Sequence, residues 1–64
     1  MTSSRSTVLV VEDETSLRTT MCASLTLMGF ITHQADSVDA ALRILGAEHV
    51  DAIVLNDLLN TPAT

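Results

Sequence analysis

The chain carries two fully apolar runs, residues 8–11 and 52–55, and each run ends at acidic or amide residues. A strand that is apolar at every position is typical of a parallel sheet with helices on both faces. The carboxyl ends of parallel strands meet at one edge of the sheet, and open α/β sheets bind ligands there. We therefore expect Glu12, Asp13 and Asn56 to lie along one rim of a sheet.

The residues between the two runs predict a helix, a strand and a second helix. The first strand is predicted at residues 7–11, and apolar residues at helical spacing predict the first helix at about residues 15–28. Thr15 or Ser16 is suited to cap this helix, and Gly29 is suited to end it. The predicted buried stripe consists of Leu17, Met21, Leu25 and Met28, with Cys22 beside it.

The second half of the chain predicts an edge strand, a helix and a third strand. Residues 30–35 are more polar than the apolar runs, and an edge position suits them. Asp36 or Ser37 is suited to cap the second helix, and Gly46 is suited to end it. That helix is predicted to bury Ala41, Leu42 and Leu45, and the third strand is predicted at residues 52–55.

This element order, β-α-β-α-β with short connections, predicts an α/β fold with parallel strands in the order 2-1-3. The outer edge of the third strand is then bare. An apolar strand with a bare edge favours a covering partner, and a second copy pairing along this strand to make a homodimer is one hypothesis. Residues 1–6 are predicted to be a disordered N-terminus and residues 61–64 a frayed tail.

Composition and charge exclude several classes of function. The formal net charge is −5, with three arginines and no lysine, which argues against binding to nucleic acid or to anionic membranes. The polar start is unlike a signal peptide, and no apolar stretch approaches the ~20 residues of a membrane helix. The single cysteine, Cys22, cannot form an internal disulfide and is predicted to be a buried, inert thiol. These features predict a cytoplasmic protein.

One family matches these residues in register. The stretch Val-Leu-Val-Val-Glu-Asp-Glu at residues 8–14, with Arg18 four residues further on, resembles the opening of bacterial response-regulator receiver domains. Gly29-Phe30 and residues 35–42 and 51–55 continue the pattern. The resemblance implies that residues 7–60 are a partial receiver domain, the N-terminal half of a flavodoxin-like sheet. Arg18 also stands four residues after Glu14, a spacing typical of a helix-surface ion pair.

The resemblance also implies a phosphorylation site, and this chain departs from it. In the family an acidic pair after the first strand holds Mg²⁺, and Glu12 and Asp13 match that pair. The third strand of a receiver ends in the aspartate that accepts phosphate, and Asn56 stands at that position here. An amide lacks the anionic oxygen that attacks phosphorus, so we expect no phosphorylation there and only weak Mg²⁺ binding. Asp57 is the alternative acceptor, if a one-residue bulge brings it to the rim.

Three functional hypotheses remain open on the sequence. The first is a truncated receiver module of a two-component phosphorelay without enzymatic activity. The second is a non-catalytic binding module that self-associates or docks a histidine kinase or another receiver, because the first helix of a receiver generally contacts kinases. The third is a working phosphoacceptor at Asp57. The Ser/Thr and Lys that receivers carry later in their sequence have no counterpart among these 64 residues.

Overall fold

The computed structural model describes residues 5–55, which form one parallel sheet and two helices. The elements are β1 (Thr7–Val11), α1 (Thr15–Leu27), β2 (Ile31–Ala35), α2 (Val38–Ala47) and β3 (Ala52–Leu55). The strand order is β2-β1-β3, with both pairings parallel. The predicted α/β class, the β-α-β-α-β order and the truncated flavodoxin-like arrangement are confirmed.

The central strand β1 is buried along its whole length, as its apolar sequence predicts. Alternate side chains enter two small cores, one under each helix. The core under α1 contains Val8, Val10 and Cys22, and the core under α2 contains Leu9, Val11, Ala35 and Ala41. Full burial of one such aliphatic side chain contributes roughly 1.5–3 kcal/mol, so β1 supplies much of the stability of the fold.

Helix α1 follows the predicted range closely but differs at both ends. Glu14 is the N-cap residue and makes no side-chain capping hydrogen bond, so the predicted capping by Thr15 or Ser16 is wrong. The chain leaves the helix through Gly29, whose φ of +99° lies in the left-handed region that favours glycine. The prediction that Gly29 ends the helix is confirmed.

Only the middle of the predicted α1 stripe packs against the sheet. Cys22 is buried, and Met21 and Leu25 are partly buried against the same core. Leu17 and Met28 are exposed, so their predicted burial is wrong. These two residues lie in the first turn and at the C-cap, at the two ends of the helix.

Helix α2 packs against the sheet through two alanines and Ile44. Ser37 is its cap, with Oγ accepting a hydrogen bond from the Ala40 amide at 3.1 Å. Ala41 is buried and Ala40 and Ile44 are partly buried, whereas Leu42 and Leu45 are exposed. The predicted burial of both leucines is therefore wrong, because alanines let the helix approach the sheet and leave the leucines on its flank. Gly46 does not end the helix as predicted, since the helix continues to Ala47.

Strand β3 is an exposed edge within the described part of the chain. It pairs with β1 on one side only, with Leu9 opposite Ile53 and Val11 opposite Leu55. Burial of this strand on both faces, which its apolar sequence predicts, is wrong for residues 52–55, of which Val54 alone is partly buried. The expectation of a bare edge is confirmed for the same residues.

Several predictions fall on residues outside the described range. The acceptor position Asn56, its neighbour Asp57 and the tail at residues 61–64 are among them, as are residues 1–4 of the N-terminus. At the start of the described range, the Ser6 carbonyl accepts a hydrogen bond from the Ile31 amide at 2.9 Å. Neither described helix is long and apolar enough to cross a membrane.

Candidate functional site

The candidate site is the carboxyl end of the sheet, where the three strands finish level with one another. Val11, the last residue of β1, pairs with Ala35 of β2 and with Leu55 of β3. Glu12 and Asp13 follow Val11 directly, so they stand at the end of the central strand. β1 and β3 flank the topological switch point of this strand order, which is where doubly wound sheets bind ligands.

Glu12 is held firmly in this loop. Its amide donates to the Ala35 carbonyl at 3.0 Å, which extends the β1–β2 ladder by one residue. Its side chain is only 4% exposed, and Oε2 accepts a hydrogen bond from the Glu14 amide at 2.8 Å. The carboxylate therefore closes the turn that leads into α1. Asp13, in contrast, is exposed to solvent.

Arg18, in the first turns of α1, stabilises the same loop through hydrogen bonds. Its Nη1 donates to the Glu12 carbonyl at 2.8 Å, and its Nε donates to Gln34 Oε1 on β2 at 3.3 Å. Its Nη2 also reaches Thr15 Oγ1 at 3.5 Å. The helix-surface pair with Glu14 that the spacing predicts is replaced by these contacts, because a guanidinium presents several donors in a fixed planar fork. Sequence spacing could not reveal a partner on another strand.

The donor set at this end of the sheet suits Mg²⁺ only weakly. Mg²⁺ binds through one or two carboxylates and keeps several waters. Glu12 and Asp13 supply two carboxylates of the required type. One oxygen of Glu12 is already engaged by the Glu14 amide. Within residues 5–55, no group of three or more His, Cys, Asp or Glu side chains is placed to hold a metal ion. The predicted oxygen ligand Asn56 lies outside that range.

A second polar cluster lies at the opposite end of β3, and sequence reasoning missed it. His49 Nε2 lies 2.8 Å from Asp51 Oδ1, and Asp51 Oδ2 accepts a hydrogen bond from the Thr7 amide at 2.7 Å. The Thr7 hydrogen bond, followed by the one to His49, lowers the pKa of Asp51 below its ordinary value. The His-x-Asp spacing was the available signal, but nothing in the sequence placed Thr7 beside it.

Cys22 is buried in the core under α1, as predicted. Desolvation by burial raises the pKa of its thiol, although a hydrogen bond to Thr32 and the charge of Arg18 act in the opposite direction. A thiol with a raised pKa stays protonated near neutral pH and is a poor nucleophile. This cysteine therefore has a packing role in the described structure.

The chain matches no family model, no curated protein and no solved structure. The fold and the loop after β1 are therefore the basis for any functional argument.

Proposed function

We propose that this stretch is the N-terminal half of a response-regulator receiver module from a two-component phosphorelay, and that it does not accept phosphate at the usual position. The observation that carries the proposal is the placement of Glu12 and Asp13 directly after the buried central strand of a 2-1-3 parallel sheet. The sequence motif and the strand order agree here, since receivers carry their acidic pair at this loop. The module acts by binding partners and has no enzymatic activity of its own.

The loop after β1 supports a retained metal-binding geometry. Arg18 and the buried Glu12 carboxylate fix the backbone that presents Asp13 to solvent. Mg²⁺ held by Glu12 and Asp13 would neutralise the oxygens of an incoming phosphoryl group. Glu12 and Asp13 would supply two carboxylates, and water would complete the coordination.

The absence of phosphorylation follows from the residue at the acceptor position. Transfer to a receiver requires a carboxylate oxygen to attack phosphorus while the donor leaves with the bonding electrons. Asn56 offers only a neutral amide oxygen there. Asp57 remains the alternative acceptor. A carboxylate at that position would form an acyl phosphate, and a variant of Asp57 itself tests this alternative.

The test of the metal site is an NMR titration of the 64-residue chain with MgCl₂. We expect millimolar affinity, with shifts at the amides of Glu12, Asp13 and Glu14, and loss of those shifts in Glu12→Gln and Asp13→Asn. Glu48→Gln is the matched control, because Glu48 is an exposed acid at the other end of the sheet. A response in Glu12→Gln equal to that of the unaltered chain would contradict the site.

The test of phosphorylation uses a small acyl phosphate donor with Mg²⁺ and intact-mass analysis. We expect no base-labile adduct on the unaltered chain, and a measurable adduct on Asn56→Asp. An adduct on the unaltered chain that disappears in Asp57→Asn would replace this part of the proposal with the Asp57 alternative. An Asn56→Asp variant that binds Mg²⁺ but never reacts would argue against a receiver origin.

A second candidate function is self-association, which the exposed edge of β3 favours. Ala52–Leu55 has a pairing partner on its β1 side only, within the described residues. Two such edges paired antiparallel about a two-fold axis would give a six-stranded sheet. Sedimentation equilibrium checks this, since a monomer mass at all concentrations would reject it. Docking of a histidine kinase on the exposed side of α1 is the remaining binding alternative, and direct titration with a kinase dimerisation domain tests it.

A further inference from the structure

Both backbone polar groups of Glu12 are connected to the edge strand β2. The Glu12 amide donates directly to the Ala35 carbonyl at 3.0 Å, which continues the β1–β2 ladder. The Glu12 carbonyl accepts from Arg18 Nη1 at 2.8 Å, and Arg18 Nε donates to Gln34 Oε1 at 3.3 Å. Strand β2 therefore constrains Glu12 twice, once through its backbone and once through the side chain of Gln34.

Gln34 lies on the same face of the sheet as α1. It pairs with Val10, whose side chain belongs to the core under α1, and paired residues of neighbouring strands point to the same face. Thr32, two positions earlier, shares this face, and its hydroxyl lies 3.5 Å from Thr26 Oγ1 of α1. Strand β2 thus has two separate polar contacts with α1. The contact of Gln34 involves Arg18, whereas the contact of Thr32 lies further along the helix.

The guanidinium group of Arg18 transmits the orientation that Gln34 sets. The group is planar and rigid, so its Nε and Nη1 donors have fixed directions relative to each other. An acceptor at Nε therefore selects the side-chain rotamers in which Nη1 is aimed at the Glu12 carbonyl. Without that acceptor, the long arginine side chain should sample more rotamers and contact the carbonyl for less of the time.

The Glu12 carbonyl in turn sets the orientation of Asp13. This carbonyl belongs to the peptide group that joins the two residues, and a peptide group is planar. A fixed oxygen atom therefore fixes the plane from which the Asp13 amide and Cα extend. Asp13 is exposed to solvent, so the direction of its carboxylate depends strongly on this plane.

We infer that Gln34 is a positioning residue for Asp13 in the proposed Mg²⁺ site, and that it acts through Arg18 and the peptide group between Glu12 and Asp13. The inference rests on the proposed function, because metal binding is the reason for orienting this carboxylate. Residues that orient a metal ligand without touching the metal raise the affinity of the site. Gln34 is exposed at the edge of the sheet, so it can be replaced with little effect on the core.

The first experiment compares metal-free ¹H–¹⁵N spectra and amide ¹⁵N relaxation of the 64-residue chain and three variants. Gln34→Leu removes the acceptor and should shift the Asp13 amide and increase its fast motion. Gln34→Glu keeps an acceptor oxygen and should leave the Asp13 amide as ordered as in the unaltered chain. Thr32→Val is the matched control, because it removes the contact with Thr26 on the same face of β2 and leaves the contacts of Arg18 in place.

A Mg²⁺ titration of the same proteins tests the consequence for binding. We expect Gln34→Leu to weaken Mg²⁺ binding about threefold, since it removes one exposed hydrogen bond. Thr32→Val should leave the affinity unchanged. In an Arg18→Met background, which lacks both donors, Gln34→Leu should have no further effect.

The two readouts separate the positioning role from the metal site. If the unaltered chain shows no Mg²⁺-dependent shifts, the metal site is rejected, whereas a loss of order at Asp13 confined to Gln34→Leu still supports control of Asp13 by Gln34. An unchanged Asp13 amide in Gln34→Leu, equal changes in Thr32→Val, or an effect of Gln34→Leu that persists in the Arg18→Met background would overturn the inference. An unaltered chain without a dispersed Asp13 amide would overturn it as well, because these contacts require the folded sheet.

Discussion

Thr7 and Asp51, 44 positions apart, exchange two hydrogen bonds. The Thr7 amide donates to Asp51 Oδ2 at 2.7 Å, and the Asp51 amide donates to the Thr7 carbonyl at 2.8 Å. This pair fixes the first residue of β1 against the residue that precedes β3, and the register of the two strands follows from it. The carboxylate thus stabilises the placement of the exposed strand, which neither helix covers.

The first prediction concerns acid. Because the pKa of Asp51 is lowered in the folded chain, its contribution to stability is fully present above the ordinary aspartate pKa of about 3.9 and is lost as the pH falls through the lowered value. We expect Asp51→Asn to reduce the thermal midpoint at pH 7 and to reduce its dependence on pH below 4. Thermal melts between pH 2.5 and 7 check this, with Glu48→Gln as the control. An unchanged pH profile in Asp51→Asn would show that the Thr7 contact does not stabilise the fold.

The second prediction concerns Arg18, which fastens the loop that carries the acidic pair. Arg18→Lys retains the charge but loses the fork that reaches both the Glu12 carbonyl and Gln34. We expect a loss of about 1 kcal/mol in the free energy of unfolding, since the contacts are partly exposed. We also expect shifted amides at Glu12, Asp13 and Glu14 and weaker Mg²⁺ binding.

Urea unfolding and the Mg²⁺ titration check the Arg18 prediction together. Arg43→Lys is the matched control, because Arg43 is exposed on α2, away from the loop. A loss of stability in Arg18→Lys with unchanged Mg²⁺ shifts would limit Arg18 to a packing role.

The third prediction uses Cys22 as a reporter of folding. Its burial and raised pKa protect the thiol, so the folded chain should react with a disulfide reagent at least about tenfold more slowly than the chain in urea. The reaction is followed by absorbance at pH 8, with free cysteine as the reference. A native rate equal to the rate in urea would mean that the core under α1 opens freely.

The sequence predicted some features of the fold correctly and others wrongly. The buried strand β1, the strand order and the bare edge of β3 follow from local patterns, because apolar runs and short connections leave few arrangements. The burial of Leu42 and Leu45 was predicted wrongly, since hydrophobicity alone does not show that Ala41 gives the closer approach to the sheet.

At the candidate site, the position of Glu12 and Asp13 at the end of β1 was predictable, because it depends on where one strand ends. The hydrogen bond from Arg18 to the Glu12 carbonyl and the hydrogen bond from the Thr7 amide to Asp51 were not predictable from the sequence. Both depend on contacts between residues that only the complete sheet brings together.

The last prediction contrasts the two glycines. The sequence predicts that each of them ends a helix, whereas the structure places Gly29 just after α1 and Gly46 within α2. A methyl group at Gly29 or Gly46 would meet no side chain or distant backbone within 4 Å in the part of the chain that is described. Backbone conformation therefore decides the effect of each alanine substitution. Gly29 has a φ of +99°, where an alanine costs roughly 1–2 kcal/mol. Gly46 lies inside α2, where an alanine stabilises a helix by up to about 1 kcal/mol.

We accordingly expect Gly29→Ala to lower the urea midpoint and Gly46→Ala to raise it. The two substitutions add the same methyl group, so each is the control for the other. The double variant should lie near the sum of the two effects, because Gly29 follows α1, Gly46 lies in α2, and the two share no contact among the described residues. A lower midpoint for Gly46→Ala would mean that α2 ends at this glycine in solution, as the sequence pattern alone predicts.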